Sequence, residues 1–287
     1  MTELIERVSM RMRSSQTLRL LTVGVLVLLL QIPIAMIGGQ VSEREARGIE
    51  AIEEVSSKWG NEQVISGPAL VVPFLFRWTE ANREGLPIAR SESRFAYFLP
   101  DRLTVGGTVN TEIRKRGIFS VPVYKADLTL SGRFSRPDFS DLGVEPAAIA
   151  WDRAHLVVGI SDTRAIQQET AVSWNGAQVA FVPGTGGFTD AGSGIHAVVG
   201  FDAKAEAVDF SLPLALNGSR GVYFTPFGQN TVIELESNYP HPSLQGNWLP
   251  NDRTVSNEGF EARWSIPFLG RSFPQAWTSV DDMEAEI

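Results

Sequence analysis

The sequence contains no cysteine among its 287 residues. This absence excludes disulfide bonds, thiolate catalysis and cysteine-ligated zinc. Histidine is also scarce, and His155, His196 and His241 lie too far apart in sequence for the paired spacing of helical zinc sites. We therefore expect no metal site and no cofactor.

Positively charged residues are fewer than negatively charged ones. The chain has 25 Lys and Arg against 33 Asp and Glu, for a net charge of −8. Residues 1–19 hold four arginines and two glutamates, so the rest of the chain is more acidic than the whole. Such a surface does not favour nucleic acid as a partner, because phosphates bind basic proteins.

Charge is absent from residues 20–37, which read LLTVGVLVLLLQIPIAMI. About 20 apolar residues cross a bilayer as a helix, so we predict a transmembrane helix over 20–38. The arginines before it predict a cytoplasmic N-terminus at 1–19 and export of the chain after it. The alternative is a cleaved signal peptide, which usually has a shorter apolar core and a small-residue cleavage site.

The segment 40–60 has the pattern of a juxtamembrane amphipathic helix. Ser42 and Glu45 fit a capping box at its start, and Gly60 is placed to end it. Apolar residues recur on one face at Ile49, Ile52 and Val55. We therefore predict a separate helix between the membrane and the exported domain.

From residue 61 to residue 280 the apolar pattern has a period of two, broken by Gly- and Pro-rich turns. Residues 259–266 alternate most cleanly, with Phe260, Ala262 and Trp264 apolar between polar neighbours. Short strands at this spacing predict an all-β domain, a large antiparallel β-sandwich. Residues 281–287 form an acidic tail.

No catalytic motif is complete. Ser193 lies between two glycines, but the flanking positions of a nucleophile elbow are Ala191 and Ile195. The remaining enzymatic route is a carboxylate pair of the kind that hydrolyses glycosides, drawn from the acids at 162, 209, 252, 258 and 261. Sequence alone does not pair any two of them, so we predict a non-enzymatic protein and keep a carbohydrate-active enzyme as the alternative.

The densest unusual stretch runs from residue 223 to residue 250 and is rich in aromatic residues and proline. Such residues form a shallow groove for an extended peptide or a glycan, or they pin a long loop by packing. For the first reading we single out Tyr239, His241, Trp248 and, on the following strand, Arg263 as candidate binding residues.

Short motifs recur along the chain in a fixed order: QIPI (31–34), SSKWG (56–60), GPALVVP (67–73), RGIFSVPVY (116–124), LSGRF (130–134), SDTRAI (161–166), TPFGQNT (225–231), YPHPS (239–243) and GFEARW (259–264). Together they cover about residues 15–277 and resemble the CreD family of bacterial inner-membrane proteins.

The resemblance implies an integral inner-membrane protein with its bulk in the periplasm and a role in cell envelope integrity and stress response. It supplies no catalytic residues. The implied partner is an envelope protein or a glycan; a purely structural part of a larger membrane assembly is the other reading. Family members are expected to continue into further membrane helices, so the end at 281–287 suggests a truncation point.

Overall fold

A single long helix, α1 (Gln16–Trp59), begins the part of the chain that the computed structural model describes: residues 16–81, 86–142, 144–145, 148–186, 188 and 193–279. Most of the predicted cytoplasmic segment and the acidic tail at 281–287 lie outside these residues. Within them, α1 is the one helix long and apolar enough to cross a membrane, and the side chains of its apolar run are exposed. This agrees with the predicted transmembrane helix.

The prediction of a separate juxtamembrane helix was wrong, because α1 is continuous through Gly38, Gly39 and Ser42. Two glycines cost a helix about 1 kcal/mol each relative to alanine, which a long hydrogen-bonded helix tolerates. From residue 38 to Trp59 the helix extends about 33 Å at 1.5 Å per residue. It ends where predicted, since Gly60 has a φ of +146° and donates its N–H to the Ser56 carbonyl at 2.9 Å.

The chain divides into two units, residues 1–54 and residues 55–287. The second unit is built of strands, as predicted. Those in the described residues are β1 Gln63–Ala81, β2 Pro87–Phe98, β3 Arg102–Arg116, β4 Phe119–Ser135, β5 His155–Ile160, β6 Ala171–Trp174, β7 Ala177–Ala180, β8 Val182–Pro183, β9 Gly194–Val198, β10 Ala207–Ser219, β11 Val222–Thr225, β12 Asn230–Ser237, β13 Asp252–Ser256, β14 Gly259–Pro267 and β15 Ala276–Thr278.

The strands form two sheets. The seven-stranded sheet has the order β15-β2-β1-β5-β9-β8, with β11 beside β1, and the eight-stranded sheet has the order β13-β14-β12-β3-β4-β10-β6-β7. The pairing is antiparallel except for β1 with β11 and β12 with β3, which are parallel. The sheets are therefore mixed, and the expectation of a purely antiparallel fold was wrong at these two pairs.

Both sheets contribute side chains to one hydrophobic core. Leu70 and Leu156 of the seven-stranded sheet and Leu130 and Leu212 of the eight-stranded sheet are fully buried within it. This shared core agrees with the predicted sandwich. Because side chains alternate along each strand, every second residue of the eight-stranded sheet points away from the core, and we call that surface the outer face.

Candidate functional site

An open groove of about 430 Å³ lies on the outer face of the eight-stranded sheet. Strands β3, β12, β14 and β13 form it side by side. The predicted alternation of β14 is confirmed: Ala262 and Ile266 are buried, whereas Glu261 and Arg263 are exposed. The side chains that border the groove are therefore the polar halves of amphipathic strands.

Two consecutive glycines form the floor of the groove on β3. A Cβ atom on Gly106 would lie 4.0 Å from its nearest neighbour, the Glu234 carbonyl oxygen, so this position opens into free space. A Cβ atom on Gly107 would clash with the carbonyl oxygen of Asp127, and its φ is +152°. The groove exists because β3 presents backbone instead of side chains here.

Acidic side chains dominate the groove walls. Six charged residues line it, four of them acidic: Glu234, Glu236, Asp252, Glu261, Arg253 and Arg263. Their sum is a net charge of −2, and the groove can therefore attract cationic groups.

The charges divide into a paired set and an unpaired set. Arg263 Nε lies 3.2 Å from Glu234 Oε1, and both side chains are half-exposed. Glu236 and Glu261 are direct register partners on β12 and β14, which places their Cβ atoms about 5 Å apart. Within the described residues, neither of these two carboxylates has a cationic partner, and like charges placed opposite each other repel.

The four predicted binding residues do not meet in one place. Arg263 lies in the groove, as a member of its wall. Tyr239 and His241 belong to the connection between β12 and β13, where their rings meet edge to face at 6.3 Å. The carbonyl oxygen of Trp248 accepts a hydrogen bond at 3.2 Å from the indole of Trp264. The Trp264 side chain packs against the core, on the side of the sheet opposite to Arg263.

Sequence reasoning missed most of the groove for identifiable reasons. Glu261 was among the candidate acids, but its pairing with Glu236 depends on which strands are neighbours, and local sequence does not give the strand order. Strand β13 was not predicted, because its five residues are all exposed and carry no apolar alternation. The adjacent glycines Gly106 and Gly107 were the one local signal of an open floor.

The chemistry of the groove follows from the residues that line it. Its lining residues include no aromatic ring on which a sugar could stack. Within the described part of the chain, no group of three or more His, Asp or Glu side chains is placed to hold a metal ion. The groove offers a ligand several carboxylates, one ion pair and exposed backbone.

Comparison with known proteins gives one consistent result. The family model described as Inner membrane protein CreD matches residues 15–287. The chain is similar to Inner membrane protein CreD of Escherichia coli (strain K12), with 30% identity over 257 residues, or 89% of this chain. The chain spans 56% of the length of that relative.

Proposed function

Since the chain belongs to the CreD family of inner membrane proteins, we propose that α1 anchors it there and that its β domain faces the periplasm. Orientation is supported by the four arginines that precede the apolar run, because positive charge is retained on the cytoplasmic side. The residues after the apolar run carry a net negative charge, which fits their export to the periplasmic side.

The proposed function is to bind a basic segment of an envelope protein in the groove, as part of a role in envelope integrity. The observation that carries this proposal is the opposed pair Glu236 and Glu261 beside the glycine floor. A Lys or Arg side chain placed between the two carboxylates would relieve their repulsion, and charge complementarity of this kind gives specificity. The open floor at Gly106 leaves room for the backbone of an extended segment.

The experiment is a binding measurement with charge-reversed variants of the full chain in detergent. The probe is a fluorescent extended peptide that carries alternating lysines. We expect Glu236→Lys together with Glu261→Lys to weaken its binding by about tenfold or more, as loss of interfacial charge pairs does.

The matched control reverses two acids outside the groove, Asp141 and Glu145, in the connection between β4 and β5. Both residues are exposed, and the change in net charge is identical. Equal weakening in the two double variants would mean that the peptide responds to net charge, and the groove would have no part in the binding.

For the alternative, a carbohydrate-active enzyme, the same two carboxylates would be the catalytic pair. The proposal that the protein is not an enzyme is supported by their exposure and by the lack of aromatic side chains in the groove. Incubation of the full chain with a panel of envelope glycans distinguishes the two readings. Product that forms with the parent protein and disappears in Glu236→Gln and Glu261→Gln would establish the enzyme.

A further inference from the structure

A second polar site lies on the seven-stranded sheet, on the face directed away from the core. Val71, Tyr97 and Val157 form a small buried cluster there, covered by Phe95, Phe188 and Trp277. Within this apolar patch stand two of the three histidines, His155 on β5 and His196 on β9. Neither histidine belongs to the groove.

The pairing of β5 with β9 brings the two imidazoles together. Val157 is the register partner of His196, and His155 precedes Val157 by two residues on the same face. The two rings are therefore diagonal neighbours, with centroids 5.8 Å apart and planes at 70°. The 40 residues that separate them in sequence concealed this contact.

The hydrogen bonds of the two rings assign their protons. Nδ1 of His155 lies 3.3 Å from the Arg153 carbonyl oxygen, and Nδ1 of His196 lies 2.8 Å from the Gly184 carbonyl oxygen. A carbonyl oxygen only accepts, so each Nδ1 must carry the hydrogen. In a neutral ring this leaves the lone pair on Nε2, and no described residue donates a hydrogen bond to either Nε2.

Metal-binding histidines show the same arrangement. Their distal N–H usually donates to a backbone carbonyl or a carboxylate, which fixes the tautomer and orients the ring for the ion. In the same way, the backbone carbonyl at each Nδ1 leaves the opposite nitrogen, Nε2, free to face an ion.

The loop before β9 completes the surroundings. A Cβ atom on Gly186 would lie 3.6 Å from His155 Nε2, so the loop passes over that nitrogen without a side chain. Next to it, the hydroxyl of Thr185 is buried and has no hydrogen-bond partner among the described residues. A site with two nitrogen ligands suits a borderline ion such as Zn²⁺ or Cu²⁺.

We propose that His155 and His196 bind one divalent late first-row metal ion through their Nε2 atoms. Water supplies the remaining ligands, since no acidic side chain of the described residues joins them. The spacing argument from the sequence missed this pair because it considered ligands within one helix, whereas these lie on neighbouring strands. The competing reading is two histidines that serve only to pack the aromatic patch.

The test is calorimetric titration of the full chain in detergent with ZnCl₂ near neutral pH. We expect one Zn²⁺ per chain, with affinity weakened by about tenfold or more in His155→Gln and in His196→Gln. The matched control is His241→Gln, an exposed histidine whose loss should leave the affinity unchanged. Unchanged circular dichroism without metal shows that each variant is folded.

A second measurement needs no variant. X-ray absorption of the Zn²⁺-loaded parent protein should show two imidazole ligands. The proposal is overturned by the absence of Zn²⁺ binding at millimolar metal, by loss of binding in His241→Gln, or by a bound ion without imidazole ligands.

Discussion

Gly106 and Gly107 are adjacent in sequence but have opposite tolerance for a side chain. Gly107 has a φ of +152° and no room for a Cβ atom, whereas Gly106 opens into the groove. We expect Gly107→Ala to lower the free energy of unfolding by about 2 kcal/mol or more, from strain and from the clash with β4. Gly106→Ala is the matched control and should change it by less than about 1 kcal/mol. Thermal unfolding in detergent measures both, and equal effects would contradict the assigned orientations.

Asp162, which follows β5, connects to the start of the β domain through hydrogen bonds from Asn61. Its carboxylate accepts two bonds from the Arg164 guanidinium, at 2.8 and 2.9 Å, and others from Asn61. We expect Asp162→Asn to destabilise the protein by about 1–3 kcal/mol, because an amide nitrogen would then face these donors. Asp209→Asn, in the exposed pair with Arg133, should cost less than about 1 kcal/mol.

Asp162 also predicts how stability depends on pH. The hydrogen bonds from Arg164 lower the pKa of this carboxyl in the folded protein. Its contribution is therefore fully present above the unfolded-state pKa of about 3.9 and is lost as the pH falls through the lower folded value. The stability difference between the parent protein and Asp162→Asn should be constant above about pH 5 and should shrink as the pH falls below about 4, because protonation removes the contribution of the carboxylate. An unchanged acid transition in the variant would contradict this assignment.

At the scale of single residues, the sequence predicted the local position of a residue better than its contacts with residues far away in the chain. Gly60 as a helix end and the exposed position of Arg263 were both predictable from local rules. The contact of His155 with His196 and the opposition of Glu236 to Glu261 were not, because strand register across a sheet is set by the whole core.

Among the elements, α1 differs most from its prediction. Gly38, Gly39 and Ser42 are signals that end one helix and start another, yet the backbone hydrogen bonds run through them. Replacement of Val41 by proline distinguishes one continuous helix from two helices that meet before Ser42. A residue just before a helix start accepts proline, whereas proline in a helix interior lowers the stability of the helix by about 3 kcal/mol.

We therefore expect Val41→Pro to reduce the helical circular dichroism signal and the thermal midpoint of the protein. Val41→Ala is the control and should preserve both, since alanine favours a helix. Parent-like helicity in Val41→Pro would show that the helix is interrupted at this point.

The strands were predictable where alternation is strong and where one face is buried. The alternation predicted over residues 259–266 gave the bounds of β14 to within one residue. Strand order was beyond local patterns: β12 pairs in parallel with β3 through a connection of more than a hundred residues.

For the whole molecule, orientation in the membrane is the first property to test. The chain has no native cysteine, so a single introduced cysteine is a unique reporter. We expect Asn257→Cys, in the exposed turn between β13 and β14, to react with a membrane-impermeant maleimide in cells with a permeable outer membrane. Thr2→Cys should react only after the inner membrane is opened. The reverse pattern would place the β domain in the cytoplasm.

The central claim is that the β domain binds an envelope partner through the acidic groove. The most direct test is photocrosslinking in living cells from the groove positions Thr108 and Thr254. The controls are Ser135 and Ser211, which lie on the same outer face outside the groove. The account predicts one defined protein adduct from the groove positions, absent at the controls and lost when Glu236→Lys and Glu261→Lys are added. Adducts that are the same at all four positions, or none from the groove, would contradict it.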